Sequence, residues 1–113
     1  MSLKNKNIIK NFIEDIWNNN KIDLITTYIH PKYKAHRLKS MTTLRGINSV
    51  KKNIKDYKRK FPNLKIIIKD MISEGDKISS LITLINKNKK MQELIIHKIE
   101  SNKIIESWSI GSD

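Results

Sequence analysis

The sequence predicts an α+β domain in which three helices precede a curled antiparallel sheet, and three observations carry that expectation. Apolar residues recur at three-to-four spacing as far as Phe61, the mark of helices with one buried face. From Leu64 onward the period changes, and four strand-length runs rich in isoleucine follow. The connections between those runs are short and polar, so consecutive strands should close antiparallel hairpins. No repeat, linker or low-complexity block interrupts this order, and residues 1–113 are expected to form a single domain. A chain of 113 residues should bury roughly two thirds of the surface its unfolded form exposes, enough for one core and one pocket.

The first helix is expected in NIIKNFIEDIWNNN, residues 7–20, where Ile9, Phe12, Ile13, Ile16 and Trp17 share a face and three asparagines stop the run. In KIDLITTYIHP, Asp23 starts a short second helix carrying Leu24, Ile25, Tyr28 and Ile29. Pro31 ends it, because proline lacks a donor and restricts the residue before it. KYKAHR then reads as extended, and residues 38–46 as a loop reaching Gly46. Val50, Ile54, Tyr57 and Phe61 define a third helix, with lysines on its other faces and Pro62 at its end. The strands LKIIIKDMIS, KISSLITLIN, MQELIIHKIE and KIIESWSI are joined by EGD, KNKK and SN.

Composition narrows the function. There are no cysteines, which removes disulfides and thiolate metal sites and suits the cytoplasm. No apolar run approaches the ~18 residues of a membrane span, and the N-terminus lacks a signal-peptide stretch, so a soluble intracellular protein with no membrane partner is expected. The net charge of +12 raises nucleic acid as a partner. However, 20 of the 23 cations are lysine, and lysine, isoleucine and asparagine make up 54 residues, a bias that A/T-rich codons would produce. The densest cluster, Lys51, Lys52, Lys55, Lys58, Arg59 and Lys60, lies on the third helix. Glycine occurs only at 46, 75 and 111, and the histidines at 30, 36 and 97 are dispersed, so neither a phosphate loop nor a histidine metal site is indicated.

The last hairpin carries the chemistry. With Ser101-Asn102 as a two-residue turn, regular pairing sets Ile99 opposite Ile104, His97 opposite Glu106 and Ile95 opposite Trp108. One apolar face would then hold a His–Glu pair, suited either to proton transfer or simply to cross-strand stabilisation. Tyr33 and His36 fall on opposite faces of the early strand, which leaves open which of them points inward. Asp70 shares a stripe with Leu64, Ile66, Ile68 and Ile72 and is a further candidate inward carboxylate, whereas Asp76 belongs to a turn.

Four stretches, FIEDIWNNNKIDLITTYIHPKYKAH, GINSVKKNIKDYKRKFPNLKIIIKDMISEGDKI, IIHKI and NKIIESW, together resemble the SnoaL-like polyketide cyclase family of the nuclear transport factor 2-like superfamily. FPNL, EGDK and KIIESW are the most specific, and the match spans most of the chain. The resemblance implies a cone-shaped cystatin-like roll, with helices over a strongly curved sheet and a deep apolar pocket between them. It also implies pocket polar groups at His36, at His97 and in the segment after Trp108, and cofactor-free chemistry in which a carboxylate removes a proton beside a carbonyl. The family's acid/base aspartate, four residues after the last-strand tryptophan, falls here on Ser112. Asp113 follows one residue later, where a bulge at Gly111 could turn it inward.

The expectation is therefore a cofactor-free, acid/base pocket protein of cyclase, isomerase or lyase type, acting on an apolar carbonyl compound and dimeric through its sheet. His97, Glu106, His36 and Asp113 are the candidate catalytic residues, and Trp17, Tyr28, Tyr57, Ile95, Trp108 and Ser112 the pocket residues. A non-catalytic ligand-binding or dimerisation module is the first alternative, and a basic nucleic-acid-associated protein the second.

Overall fold

The computed structural model describes residues 2–111. The first helix, α1 (Ser2–Phe12), continues through a π-helical turn, Ile13–Asn18, in which Asn19 N–H reaches back to the carbonyl of Glu14. Asn20, at φ 59°, breaks the winding. The side chain of Asn18 then clamps this end to the sheet: its Nδ2 donates to the carbonyl of Ile66 at 3.0 Å, and the Ile66 N–H donates to its Oδ1 at 2.8 Å. An asparagine side chain thus pairs with backbone groups of an edge strand.

A 3₁₀ turn, Ile22–Leu24, leads into the short α2, Ile25–Tyr28. Pro31 was expected to end that helix, but the chain is already extended at Ile29, and Pro31 lies inside β1, Ile29–Arg37. The expected loop after it contains a four-residue edge strand, β2, Thr42–Arg45, paired antiparallel with β1. Helix α3, Gly46–Lys60, buries Val50 and Ile54. Strands β3 (Lys65–Glu74), β4 (Lys77–Asn86), β5 (Lys89–Glu100) and β6 (Lys103–Gly111) complete the chain.

The six strands form one curved, unclosed mixed sheet in the order β2-β1-β6-β5-β4-β3. Every pairing is antiparallel except that of β1 with β6, which is parallel because the helix and three hairpins between them bring the last strand back beside the first. Ser101 and Asn102 have φ of 53° and 63°, as a tight hairpin turn of matching twist requires. Helices cover the concave face. The core there is dominated by isoleucine: Ile9, Ile16, Ile25, Ile54, Ile78, Ile82 and Ile104 are all at most 2% exposed. These β-branched side chains suit both a pleated sheet and close packing against it.

Two bulges decide which side chains face that core. On β6, Ile99 pairs with Ile104 but Lys98 pairs with Glu106, so Ile105 is an extra residue. On β3, Ile68 pairs with Ile82 but Asp70 pairs with Leu81, so Lys69 is extra. Beyond each bulge the alternation is inverted. Asp70 therefore leaves the inward stripe in which the sequence placed it, and Ile72 stands 66% exposed on the outer face.

Candidate functional site

A cavity of about 450 Å³ opens between α1, α3 and the concave face of the sheet. Its body is apolar, walled by Phe12, Ile13, Trp17, Ile82, Leu84 and Ile95. Its rim is polar, with Arg37, Asn53, Glu93 and Ser109 among the lining residues. His97 also lines it, only 4% exposed. Such a combination of apolar wall and few polar groups is the usual build of a small-molecule site.

Strand register explains how these groups meet. Along β5 the residues Met91, Glu93, Ile95 and His97 alternate onto the concave face and line the cavity. Ile95 pairs with Ser109, and Ser109 with Arg37, so one cross-sheet row joins three strands at the rim. Glu93 pairs with Gly111, where a β-carbon would stand 3.0 Å from a Glu93 carboxylate oxygen. The absence of a side chain at 111 gives that carboxyl its place. Asn53, from α3, accepts a hydrogen bond from Nη2 of Arg37 and thereby ties the guanidinium to the helix layer.

The electrostatics follow from burial. Burial pushes the Glu93 carboxyl above its ordinary value, and the nearby Arg37 charge only partly offsets it. Burial depresses His97 to about 4, so its imidazole is neutral at physiological pH. Tyr33, reaching in from β1, has its hydroxyl pushed up to about 12 by burial and hydrogen-bonded to Ser107 Oγ at 2.6 Å.

The expected pairing of His97 with Glu106 is corrected by the β6 bulge. His97 lies opposite Ser107, and Glu106 turns to the other face of the sheet, opposite Lys98. There it accepts a 2.6 Å hydrogen bond from Nε2 of His36, whose Nδ1 lies 3.2 Å from Thr43 Oγ1. The His36 ring stacks on Trp108 at a centroid separation of 5.5 Å. His36, Glu106 and Trp108 thus form a cluster on the outer face, apart from the cavity. Tyr33, not His36, is the inward member of β1.

Of the expected pocket residues, Trp17, Tyr57 and Ile95 line the cavity. Tyr28 instead donates to Asp15 at 2.5 Å and packs edge-on against Phe12. Ser112 and Asp113 lie outside the described residues. Glu93 and Arg37 were missed. Glu93 shares the strand parity of Ile95 and His97, and extending that face two residues toward the start of β5 would have found it; Arg37 gave no comparable signal, since the facing of β1 was open. Among the described residues, no three His, Cys, Asp or Glu side chains gather as a metal site. No helix among them is long and apolar enough to cross a membrane.

Comparison with known proteins bears on this architecture. A family model described as SnoaL-like polyketide cyclase matches residues 7–112. A search of curated protein sequences finds no match. Among solved structures, a candidate polyketide cyclase from Acidithiobacillus ferrooxidans superposes with a TM-score of 0.85 at 21% identity, covering 96% of this chain and 88% of that one. IdmH, a candidate polyketide cyclase from Streptomyces antibioticus, gives 0.84 at 15% identity, covering 96% and 91%. A candidate ketosteroid isomerase from Kribbella flavida gives 0.87 at 5% identity, covering 99% and 80%. At these identities the likeness to the solved structures is one of fold.

Proposed function

The chain belongs to the SnoaL-like polyketide cyclase family, and on that premise we propose that its cavity binds an apolar carbonyl compound and moves a proton on it, with Glu93 as acid and base. The observation that supports this most is a half-buried carboxyl, raised by burial, in the wall of an otherwise apolar cavity. The carboxylate takes a proton from the carbon beside the carbonyl. The C–H electron pair passes into an enolate whose oxygen gathers negative charge, and the Arg37 cation at the same rim favours that charge. Return of the proton to another carbon makes the reaction an isomerisation. Attack of the enolate carbon on a second carbonyl closes a ring, as a cyclase would.

Exchange of the α-protons of 2-tetralone for deuterium, followed by NMR, tests the reading without a known substrate. Glu93→Gln should slow protein-catalysed exchange by about 10²–10⁴-fold, the usual contribution of a general base. Glu106→Gln should leave it within about twofold, because that carboxylate belongs to the outer cluster. Exchange no faster than buffer, or equal in Glu93→Gln, would sink the assignment.

The outer face of the sheet bears on assembly, which is compatible with either a catalytic or a purely ligand-binding cavity. Leu94 and Ile110, paired across β5 and β6, are each 49% exposed, and neighbouring Ile96 is 41% exposed. We take this patch as the surface of a homodimer. Light scattering should give a dimer for the wild type and a monomer for Ile96→Lys; a monomeric wild type at high concentration removes the proposal. The basic helix offers less. Lys52 and Arg59 both bind Asp56, at 2.7 and 3.1 Å, and Lys58 donates to Asn20 and to the carbonyl of Ile16, so these three cations serve the protein's own acceptors.

A further inference from the structure

The cavity opens at one end of the sheet, and that end carries a surface of its own. Of the lining residues, Lys39, Ser40 and Gln92 are exposed, and they lie where β1 ends and β5 begins. Since β1 runs parallel to β6 and the later strands alternate in direction, the turn at 38–41 and the hairpin connection at 87–90 meet at this end. The C-terminus of α3 joins them through the contact of Lys89 with Phe61. All three segments carry exposed lysines: Lys39, Lys60, Lys87, Lys89 and Lys90.

These cations stand close to the opening. Lys60 and Lys89 lie 5.4 and 5.6 Å from the ring centroid of Phe61, and that ring is 5.0 Å from the cavity-lining Tyr57. Opposing charge is sparse among the described residues. Glu93 is drawn into the cavity wall, Asp56 is held by Lys52 and Arg59, and Glu14 accepts from Asn18 at 3.3 Å. The turn at 38–41 adds what a purely electrostatic surface lacks: Leu38 is 49% and Met41 89% exposed. Met41 also sits at φ 59°, a conformation uncommon for such a residue, so turn geometry does not account for a methionine there. An acidic protein surface would satisfy the lysines alone. Hydrocarbon beneath anionic headgroups satisfies the lysines, Leu38 and Met41 together, and it is also where an apolar ligand of the cavity dissolves.

We propose that this end of the protein docks on an anionic lipid surface, with Leu38 and Met41 entering the headgroup boundary, the lysines on lipid phosphates and the cavity opening toward the bilayer. Attachment of this kind needs no membrane-crossing helix, and none is found among the described residues. The ligand passes between bilayer and cavity without crossing water. The proposal rests on the reading of the cavity as a site for an apolar ligand, but it involves no proton transfer by Glu93.

Co-sedimentation with phosphatidylcholine vesicles, with and without phosphatidylglycerol, tests it at low salt. The wild type should bind the anionic vesicles about tenfold or more above the neutral ones. Replacing Lys87, Lys89 and Lys90 together by glutamine should lower that binding about 100-fold, near fivefold for each cation. Met41→Ser, which leaves the charge unchanged, should lower it about tenfold through lost apolar burial. Because the chain has no cysteine, Met41→Cys and Ser101→Cys can each carry a single polarity-sensitive dye. Anionic vesicles should blue-shift the label at 41 and leave the label at 101, in the hairpin turn at the opposite end of the sheet, unmoved. The wild-type vesicle comparison stands even if a variant fails to fold. Binding that ignores Met41→Ser, or a shift at both labels, would overturn docking by this end and mark the attraction as that of lysines for any polyanion, an acidic protein or nucleic acid included. No binding to anionic vesicles, with α-proton exchange intact, would overturn the docking and leave the Glu93 reading standing.

Discussion

The energetic consequence of burying His97 can be read as a pH dependence. Its folded value, about 4, lies below the ordinary 6.5, so as pH falls the unfolded chain takes up the proton first. Stability from this group is complete above pH 6.5 and is lost progressively down to about pH 4, by about 3 kcal/mol in all. Glu93 acts in the opposite sense: its raised value means that stability falls as pH rises from the ordinary carboxyl range toward the folded value. The informative measurement is therefore the difference in urea unfolding free energy between wild type and His97→Phe, which should grow along that acidic window. A difference independent of pH would mean that the imidazole is not held neutral. Ser107 offers a second residue-scale test. Ser107→Ala strands the buried Tyr33 hydroxyl, now bonded at 2.6 Å, and should cost about 1–3 kcal/mol in the same assay.

Among the elements, β6 shows most clearly what a strand's sequence conceals. Its turn was legible, because two adjacent residues between isoleucine-rich runs indicate a tight hairpin and Glu100 does pair with Lys103. The residue pairs beyond the turn were not. An extra residue at Ile105 reverses every later facing, moving Glu106 and Trp108 outward and Ser107 and Ser109 inward. No local signal marks it, since Ile104 and Ile105 are the same residue and either could serve as the bulge. What favours it is tertiary: Ser107 finds Tyr33, and Glu106 finds His36. Deleting Ile105 would join Ile104, opposite Ile99, directly to Glu106, opposite Lys98, so the strand would alternate regularly with every later facing as it is now. We expect the deletion variant to fold with a urea midpoint close to that of the wild type. A loss of several kcal/mol would show that the bulge contributes through its local twist and not only through the facing it sets.

Across the whole molecule, the core is a continuous isoleucine layer between helices and sheet, and it is well enough filled that truncation should be felt. Ile16, fully enclosed at the junction of the first helix with the sheet, should cost about 2–5 kcal/mol when replaced by alanine. The cavity lies beside that core with walls drawn from α1, α3 and several strands, so no single segment encodes it. The sequence by itself determined the three helices followed by four hairpin-connected strands, and the family, since periodicity, short polar connections and local motifs are properties of neighbouring residues. Of the residues singled out from it, His97, Trp17, Tyr57 and Ile95 line the cavity. Only the tertiary structure decided that β1 lies parallel to β6, that Tyr33 faces inward while His36 faces out, and that Glu93 with Arg37, rather than Glu106, occupies the cavity rim. Facing in a sheet has a period of two residues, so one bulged residue is enough to exchange the two sides. Whether a bulge forms depends on partners more than sixty residues away in the chain, as Tyr33 is from Ser107 and His36 from Glu106.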